Sequence, residues 1–200
     1  CLPKDPWLLK YGLDAYGCFN FTPKIIVQSR RMNDFMPQHM KNLVEEALRE
    51  KGVKLQDARV CILGLAFLEN SDDGRNTPTV PLVEELRRRG ATYVIHDPYI
   101  AEGEGYRIEP DIDRALQSCD AVVVMTKHDQ YRALTPEKLE RLLKSKVVID
   151  GRNMFNATEF LDHGFIFKGI GKGNINKTRR HYEVAAKTRE TISSRSGGSS

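Results

Sequence analysis

No apolar run in this chain approaches the length of a bilayer span; the longest, such as residues 121–125, cover only a few positions. A membrane-crossing helix is therefore not expected, and nothing at the start reads as a secretory signal. The four cysteines, Cys1, Cys18, Cys61 and Cys119, lie far apart and include no C-x-x-C pair. That spacing argues against a zinc site or a redox dithiol and points to a reducing cytoplasm. A basic stripe is missing too. Residues 174–200 hold Lys177, Arg179, Arg180, Lys187, Arg189 and Arg195 against Glu183 and Glu190, which accounts for the whole net charge of +4. The remainder is formally neutral, so nucleic acid is not the expected partner, because phosphate contacts supply most of that affinity. No internal repeat is present. What remains, 40% hydrophobic residues with 15 Gly and 9 Pro in 200 positions, is an ordinary globular composition. It excludes pervasive disorder, collagen and a disulfide scaffold, and the length can bury a sizeable core.

The chain opens at Cys1 with Cys1-Leu2-Pro3-Lys4-Asp5-Pro6, which reads as the interior of a longer protein. Asp5 before Pro6 is a helix start, since an Asp side chain caps orphan N–H groups and Pro has no N–H to lose. Thr22-Pro23 repeats the signal, and apolar residues from Ile25 to Leu48 recur at helical spacing. A long amphipathic helix ending near Gly52 is expected, kinked or divided at Pro37 and suited to dimerisation. From Arg59 the pattern becomes short apolar strands alternating with helices. Strands are expected at 60–63, 92–96, 121–125, 147–150 and 165–167, with helices beginning at Thr77-Pro78, Asp111, Pro136 and near Thr158. This succession predicts an α/β fold, a Rossmann-like doubly wound parallel sheet preceded by a long helical element. The expected divisions are a helical region over 1–53, a Rossmann-like domain over 54–173 and a flexible polar tail over 174–200.

Few residues carry chemistry on their own. Cys1 lies close to Lys4 and to a helix start, surroundings that favour a thiolate. After the first strand, a dinucleotide-binding turn would read G-x-G-x-x-G, yet the run is Gly64-Leu65-Ala66-Phe67-Leu68-Glu69. Two of the three glycines are absent, so close backbone approach to a pyrophosphate is not provided. The crevice beyond the strand ends is still the expected ligand site, lined by Phe67, Leu68, Arg75, Asp97, Asp150, Gly151 and Arg152. Arg75 and Arg152 are the cations best placed for a phosphate or carboxylate. His96 and His128, at strand ends, read as satisfied polar residues.

Together, four co-ordered runs resemble the UDP-sugar 6-dehydrogenase family. They are Cys1-Leu2-Pro3-Lys4-Asp5, Arg31-Met32-Asn33-Asp34-Phe35-Met36-Pro37, Gly64 to Phe67 with Asp72-Asp73-Gly74-Arg75-Asn76-Thr77-Pro78, and Asp150-Gly151-Arg152-Asn153. The run from Leu68 to Asp73 and the ending Gly169-Ile170-Gly171-Lys172-Gly173 are similar to the archaeal UDP-N-acetyl-D-mannosamine branch. The resemblance implies an enzyme whose first, NAD-binding domain precedes this chain. It implies that Cys1 attacks a C6 aldehyde, that a thioester follows, and that water releases a uronic acid with NAD as the oxidant. Asp5 is implicated in acid–base assistance, Lys4 and Arg75 in contacts to NAD, and Phe67, Leu68 and Arg152 in contacts to the UDP-sugar. A homodimer is implied as well. The UDP-glucose enzymes carry Lys where this chain has Leu68, so that lysine's role is not transferred.

Overall fold

The structure is a computed structural model that describes residues 4–17, 23–102 and 105–176. Two helices come first, α1 (Asp5–Tyr16) and α2 (Lys24–Glu50). The α/β portion follows in the order β1 (Arg59–Leu63), α3 (Thr79–Arg88), β2 (Thr92–His96), α4 (Ile112–Leu116), β3 (Ala121–Val124) and α5 (Pro136–Leu142). It closes with β4 (Val147–Asp150), α6 (Ala157–Asp162), β5 (Ile166–Gly169) and a last turn of helix, α7 (Gly173–Asn176). All five strands pair in parallel in the order β2-β1-β3-β4-β5. Short 3-10 turns at 55–57 and 129–133, not foreseen from sequence, complete the trace.

The sheet is covered on both faces, which is why its strands are continuous apolar runs rather than alternating ones. Alternation survives in where the side chains go. Val60, Ile62, Ala121, Val123, Val147 and Ile149 pack on one face against Val44, Ala47 and Leu48 of α2 and Leu82, Val83 and Leu86 of α3. Cys61, Leu63, Val122, Val124, Val148 and Phe167 pack on the other against Leu116, Leu139 and Phe160 from α4, α5 and α6. The expected doubly wound sheet is thus the observed one.

Two local expectations change. Asp5 is the first helical residue of α1 and does not cap it; Lys4 occupies the cap position in a helical conformation with no side-chain cap bond. Helical dihedrals at Lys4 extend the turn one residue earlier, and the Asp5 carboxylate contributes through the helix dipole instead. Pro37 does not divide α2, which runs unbroken from Lys24 to Glu50. Pro37, Met40, Lys41, Leu43, Val44, Ala47 and Leu48 are buried, and this packing outweighs one missing ladder bond.

A buried charge ties α2 to the sheet edge. Lys168 on β5, 1% exposed, places Nζ 2.7 Å from Glu50 and 3.2 Å from Glu46, both on α2. The same amine donates to the Asn176 carbonyl at 2.6 Å, and the Asn176 side chain bonds both backbone groups of Gly169. Residues 174–176 are therefore docked on β5, within the region where the sequence reads as a flexible tail. Cys1, Cys18, Thr22 and residues 177–200 lie outside the described residues.

Candidate functional site

In a parallel sheet of this order, the connections leave β1 and β3 in opposite directions and open a crevice at their carboxyl ends. Gly64 begins the loop after β1 with φ +99, and a Cβ there would lie 2.4 Å from the Cβ of Thr126. Only glycine lets the two loops touch. The Leu63 carbonyl accepts from the amides of Met125 and Thr126 at 2.9 and 3.1 Å, and the Thr126 hydroxyl donates to the Ala66 carbonyl at 2.5 Å.

Asp97, at the end of β2, lies beneath this junction with a fully buried side chain. Its Oδ2 accepts from the amides of Leu65 and Ala66 at 2.7 and 2.9 Å, and its Oδ1 accepts from Tyr99 and Ile100 at 2.8 and 3.1 Å. The His128 Nε2 lies 3.2 Å from the same Oδ2. Burial pushes the Asp97 carboxyl up, but the bonds from His128 and from the amides of Ala66, Tyr99 and Leu65 prevail and hold its pKa at about 2. Asp97 is thus an internal anion that fixes loops. Asp150 does the same after β4, accepting from the amides of Arg152, Met154 and Phe155 at 2.9, 2.7 and 2.9 Å. Both aspartates, expected to line the crevice, are committed to backbone.

These anchors leave a distinct set of side chains at the mouth. Leu68 is 56% exposed, Phe67 is half-buried, and the Arg152 guanidinium lies 3.9 Å from Glu69. Phe67 also faces a cleft of about 500 Å³ between its loop and Arg30, Asn33, Asp34 and Pro37 of α2. Arg75 belongs to the same loop but is bound at both Nε and a terminal nitrogen by Asp73, each at 2.8 Å. That pairing holds the Asp73 carboxyl at about 2. The structure therefore brings Arg152 up to Glu69, next in the chain to Phe67 and Leu68, with Arg75 further along the loop. Lys4 and Asp5 stand at the start of α1, and among the described residues no hydrogen bond or ion pair joins either side chain to the crevice. Cys1 lies outside the described residues.

The chain is similar to known proteins in sequence and fold. Residues 61–157 match the UDP-glucose/GDP-mannose dehydrogenase family, UDP binding domain. The chain belongs to the UDP-glucose/GDP-mannose dehydrogenase family. It is 32% identical over 176 residues to the UDP-N-acetyl-D-mannosamine dehydrogenase of Pyrococcus horikoshii, covering 88% of this chain and 38% of that protein. It is 30% identical to the UDP-glucose 6-dehydrogenase of Rhizobium meliloti, covering 86% and 39%. Among solved structures, NDP-N-acetyl-D-galactosaminuronic acid dehydrogenase from Methanosarcina mazei superposes with a TM-score of 0.82 at 37% identity, covering 86% of this chain and 37% of that one. The chain spans about two-fifths of the length of the curated relatives it matches.

Dehydrogenases of this family need a dinucleotide, and the turn after β1 does not fit one. The Leu65 and Ala66 amides, which would face a pyrophosphate in a glycine-rich turn, already bind the Asp97 carboxylate. A second anion there would meet a charge of its own sign. Sequence reasoning did not single out Asn70 or Lys127, and it read His128 as a satisfied polar residue, which it is. Asn70, with φ +54, exchanges hydrogen bonds with Asp129 through its side chain. His128 holds the Asn70 amide at 2.9 Å. Lys127, half-buried between Thr126 and His128, forms no salt bridge among the described residues. Its place at the end of β3 was the available signal.

Proposed function

We propose that this chain is the carboxyl-terminal part of an NAD-dependent UDP-N-acetyl-D-mannosamine 6-dehydrogenase, a cytoplasmic enzyme that oxidises C6 of a UDP-sugar to a uronic acid. The observation that carries the reading is the crevice. It has a switch-point position, a half-buried Phe67 beside the exposed Leu68 and Arg152, and first-loop amides closed to a dinucleotide. Such a mouth suits a uracil and a diphosphate better than NAD. NAD is the oxidant this reading requires, and a domain other than the one described would hold it. In this reading Cys1 carries C6 as a thioester until water releases the acid, with Asp5 assisting the proton transfers. Lys4 and Arg75 then face the cofactor side, while Phe67, Leu68 and Arg152 hold the UDP-sugar. Free, buried Cys61 and Cys119 are consistent with a reducing compartment.

A homodimer belongs to the same reading. Ile25, Met32 and Phe35 on α2 are 83%, 64% and 49% exposed, and a second copy would cover them. A second substrate reading, a UDP-N-acetylgalactosamine-type sugar, is favoured by the similarity to the Methanosarcina mazei enzyme. The test is NADH production by the enzyme that carries this chain with its dinucleotide domain, over a panel of UDP-sugars. The expected result is the highest kcat/KM with UDP-N-acetyl-D-mannosamine and loss of turnover in Cys1→Ser, since serine has the reach without the acidity. Normal NADH production by Cys1→Ser would contradict the covalent role.

A further inference from the structure

The loop that displays Phe67 and Leu68 is held at both ends by one buried pair. At its start, Asp97 accepts the Leu65 and Ala66 amides. At its end, the Asn70 amide donates to Nδ1 of His128 at 2.9 Å. The two anchors are joined, because His128 Nε2 lies 3.2 Å from Asp97 Oδ2 and both side chains are wholly buried. An imidazole nitrogen that accepts carries no proton, so the ring's single proton is on Nε2 and points at the carboxylate. Residues 65–70 are therefore suspended between the two ends of one hydrogen-bonded dyad.

We propose that His128 is a positioning residue for nucleotide-sugar binding, one that fixes the far end of the loop and thereby sets where Phe67 and Leu68 meet the ligand. This rests on the functional reading above, which places the UDP-sugar against those two residues. The surroundings make the ring's state decisive. It is flanked by Tyr99 at 5.0 Å and Tyr131 at 5.5 Å between centroids. The Tyr131 hydroxyl reaches His96 Nδ1 at 3.1 Å. Asp97 is the charged group against the ring, with Asp129 and Lys127 as its chain neighbours. Without the Nδ1 acceptor the Asn70 amide would lose its partner, and that end of the loop would be left to the side-chain bonds between Asn70 and Asp129.

Two substitutions separate positioning from mere packing. Asn at this position presents an amide oxygen near the place of Nδ1, whereas Gln extends an amide toward the place of Nε2. His128→Asn should keep the Asn70 bond and bind a UDP-sugar within about threefold of wild type, while His128→Gln should lose about tenfold, the span of one or two hydrogen bonds. Calorimetry with UDP-glucose suits the measurement, since its doubly esterified diphosphate has no group that titrates near neutrality. The Asn70 amide, followed by hydrogen exchange without ligand, should lose protection in His128→Gln and keep it in His128→Asn.

Should His128→Gln fail to fold, His128→Ala takes its place with the same two readouts, and both affinity and Asn70 protection should fall below those of wild type and His128→Asn. Affinity unchanged in the variant that loses the Nδ1 acceptor, or an Asn70 amide indifferent to the ring in every sample, would overturn the assignment. A wild-type chain that bound no UDP-sugar would overturn the nucleotide reading, and the exchange measurement would still decide whether His128 holds the loop.

Discussion

The α/β body and the helical arm that precedes it are built from similar apolar residues and end in opposite conditions. In the body the strands are covered on both faces and their crevice loops are tied down by buried carboxylates. In the arm, α1 buries none of its residues, and of the first half of α2 only Val27 is buried. A single helix, α2, belongs to both regions, packing on the sheet from Pro37 onward and leaving it before that residue. The difference teaches that an amphipathic pattern specifies a need for cover without saying who supplies it. The body supplies its own, and the arm finds little among the described residues.

That comparison breaks most visibly at the shared helix. Leu48, fully buried between α2 and the sheet, should cost about 3 kcal/mol when cut to Ala, through lost transfer energy and the cavity left behind. Denaturant unfolding checks it, and a cost near zero would mean that α2 is not part of the body's core. Next is the buried amine at the sheet edge. Lys168→Met should destabilise by about 2 kcal/mol, because Glu46 and Glu50 lose their cation. Adding Glu50→Gln to that variant should restore part of the loss.

The body should also carry an acid signature. Folding lowers the Asp97 pKa from 3.8 to about 2, so in that window the folded state binds fewer protons than the unfolded one. Its stabilisation, roughly 2 kcal/mol, is complete above the ordinary value and is lost as pH falls from about 4 through about 2. Asp97→Asn should flatten that part of the stability profile. The smallest effect belongs to the arm. Met32→Ser and Phe35→Ser, at side chains 64% and 49% exposed, should change the stability of a single chain by less than about 0.5 kcal/mol. The same changes should shift light scattering from dimer toward monomer. A large loss of single-chain stability would erase the contrast between the two regions.

Much of the body was legible because its signals are local. Val60-Cys61-Ile62-Leu63 and the run over 121–125 could only be strands buried on both faces, and Pro136 marks the start of a helix, which Thr135 caps by accepting from the Lys138 amide. The alternation of such segments then fixes a parallel sheet. The missing glycines after Gly64 argued against a dinucleotide turn, but the sequence could not show what the turn amides bind instead. The Asp97 carboxylate and the Leu65 amide are 32 positions apart and meet only when β1 pairs with β2. His128 and Asn70 are separated by 58 positions and were invisible as partners for the same reason. Asp5 misled because Asp before Pro signals a helix start without saying which residue takes the cap position. Pro37 does not divide α2, because the cost of one missing bond is set by tertiary packing, which no local pattern records.

The central claim is that the crevice of this body takes a uridine nucleotide and refuses a dinucleotide. Isothermal calorimetry of the chain with UDP and, separately, with NAD at matched concentrations tests it most directly. Saturable heat with UDP and none with NAD is the predicted result, because the turn amides on which a dinucleotide fold relies are spent on Asp97, whereas Arg152 beside the loop can meet the diphosphate of UDP. Saturable NAD binding with no response to UDP would contradict it.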